Sequence, residues 1–448
     1  MDQLHWGISF FWFGLSIKTV FFTQLLPGIY WPPTELAGSF WRKPCPNSNI
    51  QKNDVHDLRS ALQLLASLPG ELVETDTPVN PEAELSGVYR YVGAGGTCER
   101  PTRKNGPAMI FNQVKGFPGY RVVIGVVGSR KRVGALLGCE PRKLGFFLLK
   151  DAVQNPIPPV LVGADKAQCQ EVVHLASDPG FDLRTLLPAP TNTAEDAGPY
   201  ITMGLCYASD PETKEWDITI HRLCVQSRDE LSMWLTPGRH IEVFRQKAEA
   251  LGQPLPISIS IGVDPAIEIA ACFEPPTTPQ GFDELNVAGA IRGRPVELSP
   301  CLSIEARAIA HAEIVIEGEL LPNVRVREDQ NTDTGKAMPE FPGYTGEAKD
   351  ALPIIKVKAV THRRNPILQT TVGPGEEHVN MAGIPTEAAF CKWWSAPCPA
   401  SCAMSMRTRR AAANSSPSCS SAKPPLWTRV VSARPHCWRS RRFLNSST

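Results

Sequence analysis

Five strand-length runs crowd the stretch from residue 199 to residue 360: PYITMGLCYA, EWDITIHRLCV, PISISIGVD, HAEIVIEGEL and PIIKVKAV. In the third, Ile257, Ile259 and Ile261 alternate with serines, the period of a strand with one face in a core. Little helix separates these runs. Asp264-Pro265 is a cap followed by an N1 proline and predicts a helix over 265–272, and DELNVAGAIRG (283–293) reads as a second. So many strands with so little helix predict a β-rich unit, a barrel carrying short helices. The region before it reads as mixed α/β. Leu58, Leu62, Leu65 and Leu68 recur at helical spacing until Pro69-Gly70 stops them. Strands are predicted at 107–114 and 121–128, a helix at 145–153, and an extended linker at 155–163. Gly93, Gly95 and Gly96 lack the full phosphate-loop pattern and predict a tight turn.

Composition divides the 448 residues into a body and two unlike ends. The formal charge is only +1, yet residues 391–448 hold ten Lys/Arg and no Asp or Glu. With four basic and three acidic groups in 1–54, the body carries a net charge of −10. An acidic body disfavours nucleic acid and favours a small-molecule ligand. Residues 6–31 are aromatic and apolar, but no basic n-region precedes them and Lys18 interrupts them. A non-native leader is the preferred reading, with an interfacial anchor as its rival and a membrane partner not expected. The tail has four tryptophans, five cysteines and twelve serines but no periodic apolar face, a mixture best explained by out-of-frame translation. It is expected to be disordered and unpacked, and the chain that carries it to be poorly soluble. The seven body cysteines form no CxxC pair, so reduced thiols in a cytoplasmic enzyme are expected rather than zinc ligands or disulfides.

Carboxylates with one or two imidazoles suit hard divalent metals. The β-rich part offers Asp217 and His221 on one strand, His240 after Pro237-Gly238-Arg239, and Glu284 at a helix start. By spacing alone these are as readily surface or satisfied core groups. Longer motifs say more. EWDITIHR, TPGRHI, FEPPTTPQGFDELNVAGAIRG, TGKAMPEFPGY and THRRNPILQTTVGPGEEHVNMAGIPTEA follow one another in order. Together they resemble the UbiD family of decarboxylases that depend on prenylated FMN. AELSGVYRYVGAGGT and APTNTAEDAGPYIT add a resemblance to its gallate and protocatechuate branch, and the likeness spans roughly residues 55–390.

The resemblance implies an N-terminal α/β domain (55–172), a split-β-barrel domain for flavin and metal (173–358), and the start of a C-terminal region (359–390). It leaves the leader (1–54) and tail (391–448) unmatched and implies that the family's C-terminal α/β domain is missing. Asp217, His240 and Glu284 match the protein ligands of a divalent ion, typically Mn²⁺, that ties the flavin phosphate to the protein, with K⁺ close by. Asp217 stands where the family commonly has asparagine. Ile220, His221, Arg222 and Arg239 complete the implied cofactor site. Arg222 and Glu340 are the implied catalytic residues, gripping the substrate carboxylate and donating a proton. The first glutamate of the family's Glu–Arg–Glu network falls near Gly335 and is absent; Lys336 or His378 is a candidate substitute. Strict alternation puts Asp217 and Arg222 on opposite faces of their strand, so a bulge or strand end is needed to bring both to one cofactor. The implied function is non-oxidative decarboxylation of an aromatic hydroxy acid, with a truncated, inactive flavin-binding remnant as the alternative. A flavin prenyltransferase that supplies the cofactor and a homo-oligomeric state are the implied partners.

Overall fold

A computed structural model describes residues 54–395, apart from 99–101, 104, 276, 342–343 and 374. The apolar leader (except Asp54) and the basic tail beyond residue 395 lie outside the described residues. Six strands close into a ring in the order Ile314–Val326, Leu255–Ile261, Tyr200–Ser209, Trp216–Val225, Glu230–Met233 and Leu352–His362. Each is antiparallel to its neighbours, and the last pairs back with the first. Val172–Leu175 adds to the outside of Leu352–His362. The barrel expected from the strand runs is therefore present and closed, which removes the exposed edges an open sheet would leave.

Its interior is the apolar face that alternation predicts. Ile257, Ile259 and Ile261 pack with Leu223, Ile316 and Val357 in one core. The intervening serines are buried too, because the strand Arg307–Ile309 covers their side. Ser258 Oγ donates to the Arg307 carbonyl at 2.6 Å, so its hydroxyl keeps a partner away from water.

A second sheet runs Leu72–Thr75, Ala108–Phe111, Arg121–Ile124, Ile367–Thr370. Its last strand returns from beyond the barrel to lie parallel to Arg121–Ile124. The helix Leu58–Ser67 starts at Asp57, whose carboxylate accepts from the Ser60 amide at 2.8 Å, and it buries Leu58, Ala61, Leu62 and Leu65. Leu68 is the residue that ends it. The strand predicted at 121–128 stops at Ile124 because Gly125 turns the chain with a φ of 86°. A Cβ there would also sit 2.6 Å from the Tyr89 hydroxyl. The predicted helix at 145–153 is continuous helical backbone, and the glycines at 93–96 form a turn after the helix Glu84–Gly93. The seven body cysteines are free thiols.

Glu313 ties barrel to sheet. Fully buried, it accepts from Arg59 at 2.7 and 2.9 Å, from Arg363 at 3.3 Å and from the Ile367 amide at 3.1 Å. Arg363 in turn donates to Asp57 at 2.8 Å, which helps hold the Asp57 carboxyl below its ordinary range against the opposing effect of burial. Glu313→Ala is expected to cost about 1–3 kcal/mol, because it leaves the buried Ile367 amide without its acceptor and removes the carboxylate that Arg59 and Arg363 share, while Arg363 keeps Asp57. Urea denaturation should show it as a lower midpoint with an unchanged slope.

Candidate metal centre and its surroundings

Asp217 is the second residue of Trp216–Val225 and lies opposite Ala208 in the adjoining strand, 2% exposed. His240 is delivered by a turn. Gly238, with φ 86°, lets the Arg239 amide reach back to the Thr236 carbonyl, and the helix His240–Ala250 begins at once. Glu284 occupies the N-cap of Leu285–Arg292, a helix fixed at its first turn by the Asp283 carboxylate on the Leu285 amide at 2.9 Å. Three separate elements thus bring one donor atom each from Asp217, His240 and Glu284 within 4.8 Å of one another, all buried.

The protein alone does not satisfy this cluster. Asp217 meets His240 Nδ1 at 2.6 Å and the Thr219 hydroxyl at 2.9 Å. His240 Nε2 and Glu284 Oε2 have no hydrogen-bond partner among the described residues. Burial, and then repulsion from Asp217, drives the Glu284 carboxyl well above its ordinary range. Two carboxylates and an imidazole facing one another away from solvent fit a hard divalent cation, which would relieve that repulsion and occupy the free lone pairs.

The other implied residues distribute around this centre. His221 shares the face of Asp217 and Thr219 by alternation. Its Nδ1 lies 3.1 Å from the Trp234 carbonyl, which assigns the ring proton to Nδ1 and leaves Nε2 as a buried acceptor without a partner among the described residues. Burial and the Arg239 charge push its pKa down to about 4, so the ring is neutral at ordinary pH. Arg239 pairs with Glu274 rather than with the cluster carboxylates. Ile220 is half-buried against the apolar core beside the barrel.

Arg222 points the other way. Its guanidinium donates to Glu328 at 3.2 Å and lies 5.9 Å from the Trp234 ring centre. The strand Trp216–Val225 runs unbroken between Asp217 and Arg222. The irregularity is in the neighbouring strand, where the register slips between Ile201 and Gly204, across from Arg222. Glu328 is a partner that sequence reasoning missed. It is 1% exposed and also accepts from the Tyr200 hydroxyl at 3.0 Å and the Lys349 amide at 3.2 Å. An acidic loop, VREDQNTDTG, carries no local signal that one of its carboxylates is buried. Glu340 falls on the strand Lys336–Phe341, but its side chain is outside the described residues. Lys336 opens that strand, and His378 sits in the first turn of Glu376–Ser395.

Comparison with known proteins shows what the chain is similar to. Residues 160–376 match the 3-octaprenyl-4-hydroxybenzoate carboxy-lyase Rift-related domain, and residues 67–151 match the N-terminal domain of the same carboxy-lyase. A gallate decarboxylase of Lactiplantibacillus plantarum is 53% identical over 335 residues, 75% of this chain and 68% of that protein. The apo 3,4-dihydroxybenzoic acid decarboxylase of Enterobacter cloacae has 62% identity and a TM-score of 0.72, covering 75% of this chain and 69% of that one. The UbiD-class enzyme HmfF of Pelotomaculum thermopropionicum, in complex with prenylated FMN, gives 35% identity and a TM-score of 0.67, covering 75% and 72%.

Glu284→Gln keeps the shape of the cluster and removes one formal charge. Divalent-ion affinity is expected to fall at least about tenfold. Metal content after dialysis, read by mass spectrometry, checks this, and retention of the wild-type amount would refute Glu284 as a ligand.

Proposed function

The chain belongs to the UbiD family of carboxy-lyases, and from that premise we propose that it decarboxylates a hydroxylated aromatic acid of the gallate or protocatechuate type, without oxidation, using prenylated FMN. The observation that supports this reading is the buried and unsatisfied Asp217–His240–Glu284 cluster in a chain so similar to decarboxylases of such acids. The net reaction takes an aryl carboxylate and one proton to the arene and CO2. Bound prenylated flavin supplies the sink for the electron pair that CO2 leaves on the ring carbon.

The residues of the chain bind, orient and return the proton. Arg222, its guanidinium positioned by Glu328 and Trp234, is the proposed grip on the substrate carboxylate, a planar donor suited to bidentate pairing. Asp217, His240 and Glu284 would hold Mn²⁺ against the flavin phosphate, with K⁺ beside it. Ile220, His221 and Arg239 would border the cofactor. Glu340 is the proposed donor that returns a proton to the ring carbon. Supply of the cofactor by a flavin prenyltransferase, a homo-oligomeric state and a cytoplasmic location belong to the same proposal. No described helix is long and apolar enough to cross a membrane.

Incubated with prenylated FMN, Mn²⁺ and K⁺, the protein is expected to release CO2 and the matching phenol from gallate or protocatechuate. Glu340→Gln should lower kcat about 10²–10⁴-fold while flavin stays bound. Flavin retention without CO2 from any hydroxybenzoate of a panel would instead identify an inactive flavin-binding remnant.

A further inference from the structure

The helix Leu285–Arg292 carries Glu284 at its start, and a cavity of about 290 Å³ opens at its other end. Eight helical residues separate the two by about 12 Å along the axis, so the cavity is distinct from the metal centre. Its volume lies near the lower end of small-molecule pockets, enough for one substituted ring. Ile267, Val296 and Ile309 give it an apolar lining, with Ile267 and Ile309 almost fully buried.

The polar groups around that lining are not equally engaged. Arg292 is held on both sides of its guanidinium by Asp264, at 2.7 Å through Nε, and donates to the Leu136 carbonyl at 2.8 Å. Asp264 also caps the helix Pro265–Ala270 through the Ala266 amide at 2.8 Å, so this pair is a fixed wall with no charge to spare. His311 Nε2 and the Glu297 carboxylate lie 2.7 Å apart and engage each other. His56 stands at the exposed mouth. Arg294, also exposed, remains: its guanidinium makes no hydrogen bond or ion pair with any described residue. One uncommitted cation beside an apolar lining selects an anion with an apolar body.

We propose that this cavity is a second ligand site, for a small aromatic carboxylate whose ring lies on Ile267, Val296 and Ile309 and whose carboxylate pairs with Arg294. The Glu297 carboxylate, an acceptor held beside His311, can take a hydrogen bond from a ring hydroxyl, which suits hydroxybenzoates. The site requires no turnover, so it stands or falls apart from the proposed reaction.

Titration calorimetry on the flavin-free full chain tests it, with benzoate and 3,4-dihydroxybenzoate as probes. Both should bind to an Arg222→Gln variant, in which the proposed substrate grip is removed. Arg294→Ala, an exposed substitution that leaves the walls intact, should weaken that binding about tenfold or more, and Arg294→Lys should restore part of it. Val296→Trp, which fills the lining, should also weaken it. Acetate and inorganic phosphate should bind at least about tenfold more weakly than benzoate, since neither has a ring. Three results would overturn the proposal: no benzoate binding by Arg222→Gln up to about 10 mM, unchanged affinity in Arg294→Ala, or phosphate binding as tightly as benzoate.

Discussion

Closure of the barrel, through the pairing of Ile314–Val326 with Leu352–His362, is the constraint on which the rest of the molecule depends. Closing six strands forces each to tilt and coil, and the chain absorbs this at defined irregularities. Register slips at Glu317/Gly318 and Leu320/Arg325 on one side, and at Ile201/Gly204 on the other. At Gly318 even a Cβ would be too much, for it would lie 2.6 Å from the Ile355 side chain. The strand Trp216–Val225 is thereby held between two partners, and Asp217 and Arg222 acquire fixed and opposite directions.

Buried carboxylates show how differently the same cost is met. Glu313 is matched by Arg59 and Arg363, and Glu328 by Arg222 and Tyr200. Glu317 has no cationic partner among the described residues but accepts from the Leu302 and Ser303 amides at 2.6–3.0 Å. Glu268, both of whose oxygens lack a hydrogen-bond partner among the described residues, is pushed well above the ordinary range by burial and then by Glu377. The Asp217–Glu284 pair follows none of these courses. It has an imidazole and a hydroxyl between two acidic groups, with donor atoms left over and turned toward one another. Such a cluster is suited to an added cation, since no cationic side chain among the described residues completes it.

Much of the fold was legible because it rests on local periodicity. The serine-spaced isoleucines at 257, 259 and 261 and the leucines at 58, 62 and 65 announce the faces they bury. Asp264-Pro265 announces its helix, and Asp264 does cap it. The helix His240–Ala250 is less legible, because its buried side mixes His240 and Glu242 with Ile241, Phe244 and Ala248 and so lacks a clean apolar stripe. The return of Ile367–Thr370 to the first sheet has no local signal at all, since its partner is Arg121–Ile124. Glu328 is the same case among the buried side chains, 106 residues from the arginine it holds.

The sequence by itself determined which residues could bind a cation, because donor chemistry is a property of residue type and the motifs around Asp217, His240 and Glu284 are local. It also determined the alternation that separates Asp217 from Arg222, because side-chain direction in a strand follows from the pleat. Only the tertiary structure decided that these three side chains converge, that they are buried, and that Arg222 is met by Glu328. It alone left Arg294 uncommitted above an apolar cavity. These are questions of distance and solvent exclusion between groups far apart in the chain, and local patterns specify neither until the barrel has closed.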